Sequence, residues 1–172
     1  CFINELSRRL PEGMITVVGN GTACAAGSHA YVIKDRQRFI VNSAIASMGY
    51  DLPAAIGACI ANGKKDLVCV TGDGSIMMNL QELQTIITNK LPIKIFIINN
   101  SGYQSMRLTQ TNLFNSKFCG IGPQSNDLDF PDYQKLGAVF GYPYYSIKSN
   151  DEMDKLDNIL TMPGALICEV FV

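Results

Sequence analysis

Apolar and polar positions along the chain alternate between two periods. "MITVVGN", "RFIVNS", "DLVCVTG", "IKIFIINN", "YYSI" and "ALICEVFV" are short β-rich runs, several of them apolar on both faces. Strands of that kind suit a parallel sheet covered by helices on both sides. Between them the apolar residues fall at helical spacing. A helix is expected over Leu52–Asn62, with Pro53 near its first turn and Asn62-Gly63 as its stop signal. Ile76, Leu80, Leu83 and Ile87 share one face of another, with Gln81, Glu82, Gln84, Thr85 and Thr88 mostly turned away. "FPDYQKLGAVFG" and "SNDEMDKLDNIL" read as two more, each opening on an N-cap or early proline. The order predicts a three-layer α/β/α domain with a mostly parallel, about six-stranded sheet. Residues 101–128 are the one long irregular stretch, and such stretches are often functional.

At 172 residues, 47% of them apolar, the chain suits a single domain with a sizeable core. It opens on Cys1 without an initiator methionine, so 1–172 is expected to be one domain of a longer protein. No run is long enough to cross a bilayer, and "CFINELSRRLPEG" has neither the basic start nor the apolar centre of a signal peptide. The formal net charge is −1 with no basic stripe, which argues against a nucleic-acid partner. The six cysteines show no C-x-x-C spacing, and a catalytic thiol could pair only with His29. Cys59, Cys69 and Cys168 lie in apolar runs and read as small core residues, so a cytoplasmic location is expected.

Ligands of open parallel sheets bind beyond the carboxyl ends of the strands. Three such ends are unusual here: "VVGNGTACAAG", "VTGDGSIMMN" and "FIINNSGYQSM". The first resembles a dinucleotide fingerprint, but Cys24 replaces the third glycine and no acid closes the next strand. A Walker loop fails too, because Gly57 to Gly63 is one residue too long and Lys65 replaces the needed Ser or Thr. The second end fences Asp73 between Gly72 and Gly74, where a carboxylate gains nothing from packing. From Gly74, 24 residues lead to Asn99-Asn100. They hold one helix and one strand, so both motifs return to the same edge of the sheet. Asp73, the Asn100 side chain and the Gly102 carbonyl then offer hard oxygens, an incomplete set that suits Mg²⁺ completed by phosphate and water. Gly74 and Ser75, entering a helix, would offer N–H groups and a hydroxyl to an anion. For Gly-Asp-Gly alone, an ordinary N-cap aspartate is the better reading. Chance gives the combined pattern in on the order of one in several thousand such chains.

Gly-Asp-Gly followed after two dozen residues by Asn-Asn resembles the signature of thiamine diphosphate-dependent enzymes. "NSAIASMGYDLPAAIGA", "VTGDGSIMMNLQEL", "LPIKIFIINNSGY" and "FPDYQKLGAVFG" are similar to the C-terminal, diphosphate-binding domain of acetolactate synthase and its relatives. The resemblance implies a thiamine diphosphate and Mg²⁺ site. Asp73, Asn100 and the Gly102 carbonyl would be the metal ligands. Gly74, Ser75, Gly21 and Thr22 would contact the diphosphate, and Gly72 and Tyr103 belong to the same cofactor-binding set. Met48 matches the bulky apolar residue that wedges the cofactor into a bent form, and the Ala46 carbonyl matches the acceptor of the 4′-amino group. On residue type alone, an ordinary core methionine is the lesser alternative for Met48.

The same resemblance implies a partner. Relatives activate the cofactor through a glutamate on the N-terminal, pyrimidine-binding domain of a neighbouring subunit, and assemble as homodimers or homotetramers. No catalytic residue is therefore assigned to this chain, and Glu82 lies on the polar face of its expected helix. The activity implied is decarboxylation of a 2-oxo acid such as pyruvate, with ligation of the two-carbon unit to a carbonyl acceptor. Two departures bear on the acceptor. Gly21-Thr22-Ala23 stands where acetolactate synthases usually carry Gln-His, and Thr109, near Arg107, stands where they place a tryptophan. "NNSGYQSMRLTQ" resembles carboligases of unusual-sugar biosynthesis, so Arg107 and Thr109 are candidates for an acceptor pocket fitted to a nucleotide-linked keto-sugar. The same motifs would also suit a simple 2-oxo acid decarboxylase or a non-catalytic cofactor-binding module.

Overall fold

The computed structural model describes residues 2–172; Cys1 lies outside the described residues. The order is α1 (Phe2–Arg9), β1 (Ile15–Val18), α2 (Gly21–Ala30), β2 (Arg38–Val41), α3 (Asp51–Ala61), β3 (Leu67–Gly72), α4 (Asp73–Ile76), α5 (Glu82–Thr88), β4 (Ile93–Asn99), α6 (Gln104–Leu113), α7 (Tyr133–Phe140), β5 (Tyr144–Ile147), α8 (Lys155–Thr161) and β6 (Leu166–Phe171). All six strands are parallel and lie in the order β2-β1-β3-β4-β6-β5.

Alternation along each strand builds two cores. Val68, Val70, Phe96, Ile98, Cys168 and Val170 face one side, against α1, α2 and α8. Leu67, Cys69, Ile95, Ile97 and Ile167 face the other, against α3, α5 and α7. These are three α/β/α layers, and both-face burial explains why the central strands read as unbroken apolar runs. Each expected strand is found within two residues of its bounds. The three buried thiols are core residues too: burial pushes Cys59 and Cys69 up, and Cys168 up to about 12. His29 is exposed near the end of α2. No described helix is long and apolar enough to cross a membrane.

Two expectations need correction. The helix expected to run through 76–87 is broken, with a 3-10 turn at Met77–Asn79 between α4 and α5. The stretch 101–128 is not irregular throughout, because it carries α6 and a 3-10 turn at Pro123–Ser125. Asp73, between the two glycines, is buried and only 3% exposed.

The topology places the site. From β1 the chain steps outward to β2 by way of α2, whereas from β3 it steps the opposite way to β4 by way of α4 and α5 on the other face. Neighbouring strands whose connections leave in opposite directions open a crevice at their carboxyl ends. That crevice lies between β1 and β3.

Candidate functional site

One cavity occupies this crevice. Its lining includes Gly21 and Thr22 after β1, Gly72, Asp73, Gly74 and Ser75 at the end of β3, and Asn100, Gly102 and Tyr103 after β4. Met48, from the turn before α3, lines it as well. The structure thus gathers ten of the eleven residues expected to hold the cofactor. The other, Ala46, is half-buried in the Met48 turn.

Asp73 is the most tightly held of these groups. Its Oδ1 accepts from Gly74 N at 2.8 Å, and its Oδ2 accepts from Gly102 N at 2.8 Å. The Tyr133 hydroxyl on α7 donates to its backbone carbonyl at 2.6 Å. Burial pushes the Asp73 carboxyl above its ordinary range, partly offset by the N–H donors of Gly102 and Gly74 and by the charge of Arg107. Gly74 has no room for a side chain, since an added Cβ would stand 2.2 Å from the Tyr103 ring.

Asn100 is the counterpart on β4. Its Nδ2 donates to Thr22 Oγ1 at 2.9 Å, which leaves the Thr22 hydroxyl proton free to donate elsewhere. Its Oδ1 is buried and accepts from nothing. A buried acceptor without a partner is costly and rare, and it calls for an explanation. Gly102 follows at φ +124, a conformation open to glycine, with its N–H committed to Asp73. An added Cβ there would meet the Ile121 carbonyl at 2.0 Å. The Gly102 carbonyl accepts from Gln104 N at 3.0 Å and keeps a second lone pair.

The donor set can be tested against a metal from these facts. One carboxylate, one orphaned amide oxygen and one peptide carbonyl are all hard oxygens. No group of three or more His, Cys, Asp or Glu side chains that could hold a metal occurs among the described residues. Such a set suits Mg²⁺ shared with a phosphorylated ligand, and it offers none of the thiolate or imidazole ligands that select zinc, copper or iron. The orphaned oxygen fits that role.

Several expected contacts are placed differently. The Ser75 hydroxyl is spent inside the protein: it donates to Asp51 Oδ2 at 2.9 Å and accepts from Gly49 N at 3.0 Å. Neither Arg107 nor Thr109 lines the cavity. Arg107 turns its guanidinium onto the protein, donating to the Ser101 carbonyl at 2.6 Å and to Gln104 Oε1 at 2.7 Å. Thr109 is exposed on α6, its hydroxyl bonded back to the Ser105 carbonyl. Met48 is 43% exposed, so it is not a core methionine. Ala46 sits at φ +53, in the left-handed region that glycine adopts without cost. Glu82 is half-buried at the start of α5 and does not line the cavity.

Two supporting residues, Glu169 and Asp51, escape a reading by motif. Glu169 on β6 is 5% exposed, and its carboxylate accepts from Asn99 Nδ2 at 2.5 Å and from the Tyr144 hydroxyl at 2.5 Å. Asn99 in turn accepts from Ser101 N at 2.9 Å, so the first asparagine of the pair shapes the turn that presents the second. A single acid inside the apolar run "ALICEVFV" is the available signal for Glu169. Asp51 is fully buried at the start of α3, behind Ser75.

Comparison with known proteins gives the chain a family. The family described as thiamine pyrophosphate enzyme, C-terminal TPP binding domain, matches residues 19–170. The acetolactate synthase large subunit of Cyanidium caldarium is 34% identical over 172 residues, covering 99% of this chain and 28% of that protein. The acetolactate synthase isozyme 2 large subunit of Escherichia coli (strain K12) is 32% identical over 174 residues, covering 99% of this chain and 31% of that protein. The chain spans less than a third of the length of these curated relatives.

Proposed function

This chain belongs to the thiamine pyrophosphate enzymes, as their C-terminal TPP-binding domain, and from that premise we propose that it is the Mg²⁺- and diphosphate-binding part of an acetolactate synthase-like carboligase. The whole protein would decarboxylate a 2-oxo acid, pyruvate in the simplest case, and join the two-carbon unit to a carbonyl acceptor. The observation that carries this reading is the buried, unpartnered Asn100 Oδ1 in the same cavity as Asp73.

Asp73, Asn100 Oδ1 and the Gly102 carbonyl would hold Mg²⁺. The Thr22 hydroxyl, with the backbone of Gly21, Gly74 and Ser75, would hold the diphosphate. Gly72 and Tyr103 complete the walls, with Met48 against the organic body of the cofactor and the Ala46 carbonyl as an acceptor for its amino group. When bound, thiamine diphosphate supplies the electron sink that lets a 2-oxo acid lose carbon dioxide. The chain's own part is to bind, orient and keep water out. The activating carboxylate would come from the pyrimidine-binding domain of a neighbouring subunit in a homodimer or homotetramer, and the location would be cytoplasmic. Acceptor choice would fall to side chains other than Arg107, whose two terminal nitrogens donate to the turn after β4 and to Gln104. Incubating the intact protein with pyruvate, Mg²⁺ and thiamine diphosphate, and identifying products with and without candidate keto-sugars, tests this reading. A ligated product is expected. Release of acetaldehyde alone would make the protein a simple decarboxylase, and no turnover would leave a binding module.

A further inference from the structure

The break between α4 and α5 has a physical cause. A short 3-10 stretch inside a helix often marks a functional constraint. Here it covers Met77–Asn79 and brings Asn79 across to the turn before α3, where its Nδ2 donates to the Gly49 carbonyl at 2.6 Å. The other side of the same residue is held too, because Gly49 N donates to Ser75 Oγ at 3.0 Å. Gly49 is buried at φ +77, and an added Cβ would stand 2.6 Å from Met78 Cβ and 2.7 Å from Asn79 Nδ2. Only glycine fits a backbone gripped this closely.

Behind Ser75 stands Asp51, fully buried and without a cation among its partners. Its Oδ2 accepts from Ser75 Oγ at 2.9 Å and from Thr71 Oγ1 at 2.7 Å, and its Oδ1 accepts from Leu52 N at 2.9 Å. The carboxylate also fills the space a side chain at Gly19 would need, 2.3 Å from an added Cβ. The Ser75 hydroxyl donates to Asp51 and so keeps a lone pair for Gly49 N–H. One buried carboxylate thereby ties together the end of β3, the start of α3 and helix α4, and packs against Gly19 after β1.

Met48 is the residue next to this clasp and, with Ile98 and Met106, one of the apolar side chains that line the cavity. We propose that Asp51, Ser75 and Asn79 are positioning residues that lock the Met48–Gly49 turn onto the Asp73 helix, and so set the fit of the ligand's organic body while leaving its anionic head to Asp73 and Asn100. The proposal rests on the functional reading of the cavity as a thiamine diphosphate site. It predicts a separation that general loss of structure would not produce.

The test uses the intact protein and two probes, inorganic diphosphate and thiamine diphosphate, each titrated calorimetrically with Mg²⁺ present. Asn79→Ala should weaken thiamine diphosphate by about tenfold, the scale of one lost buried hydrogen bond, and leave inorganic diphosphate within about twofold. Asp51→Asn should shift the ratio of the two affinities in the same direction. Thermal unfolding of both variants separates folding from fit. Equal loss for both probes, or loss for neither, overturns the proposal while the site stands. Wild-type protein that bound neither probe would overturn the functional reading and this proposal with it.

Discussion

The ends of β3 and β4 meet at one cavity but are built in opposite ways. At the end of β3 each acceptor is used: Asp73 takes N–H groups on both carboxylate oxygens, and the Ser75 hydroxyl is held between Asp51 and Gly49. At the end of β4 the scaffold is equally tight, with Asn99 held by Glu169 and the Ser101 carbonyl by Arg107. Yet the one group it exists to present, Asn100 Oδ1, is left without a partner. A protein satisfies its buried acceptors unless something outside it will. The β3 end is therefore an anchor, held within the protein while Asp73 keeps further lone pairs for a ligand, and the β4 end is a socket. Substitutions at the first should damage folding and binding together; substitutions at the second should damage binding first.

The largest effect is expected from Asp73→Ala. It removes the one carboxylate of the donor set and strands the N–H groups of Gly74 and Gly102. Calorimetry should show Mg²⁺-dependent binding of thiamine diphosphate weakened more than about a hundredfold, with stability down by about 2 kcal/mol in denaturant titrations. Asn100→Ala sharpens the contrast. Binding should fall by about tenfold or more, while stability changes by less than about 1 kcal/mol, since only the bond to Thr22 is lost from the folded protein. Were the two variants equally destabilised, the distinction between anchor and socket would fail.

Glu169→Gln probes the support behind the socket. The amide can still face Asn99, but the charge that strengthens both bonds is gone. A stability loss of about 1 kcal/mol is expected, with a weaker, few-fold loss of Mg²⁺-dependent binding as the Ser101 turn loosens. The smallest effect belongs to Ser101→Gly. Ser101 sits at φ +59, where a side chain strains the backbone, and its two backbone bonds survive the change. Thermal unfolding should show a gain of up to about 1 kcal/mol, the cost of the left-handed conformation less the added freedom of the unfolded chain.

The anchor and socket also explain what is legible in the sequence. The strands are readable because burial on both faces makes them apolar throughout. The site is readable because Gly-Asp-Gly and Asn-Asn sit at a spacing that one helix and one strand bring back to the same edge. Helix α2 escapes the pattern for a physical reason: "GTACAAGSHA" is made of small residues with no apolar stripe. Those residues let it lie close to the sheet, with an added Cβ at Gly27 only 3.0 Å from the Phe39 ring. Helix α6 escapes it because none of its residues is buried and Arg107 and Gln110 tie it down by hydrogen bonds instead of packing. Asp51 and Asn79 carry no motif. Their role depends on where a turn and a broken helix meet, which spacing alone does not encode.

The most direct test of the central claim is a pair of calorimetric titrations of thiamine diphosphate into the intact protein, one with Mg²⁺ and one with the divalent cation removed by chelation. If Asp73 and Asn100 hold a metal that bridges to the diphosphate, binding should saturate with Mg²⁺ and become undetectable without it. Equal affinity in the two titrations would mean that the unpartnered Asn100 oxygen serves some other end, and would contradict the account.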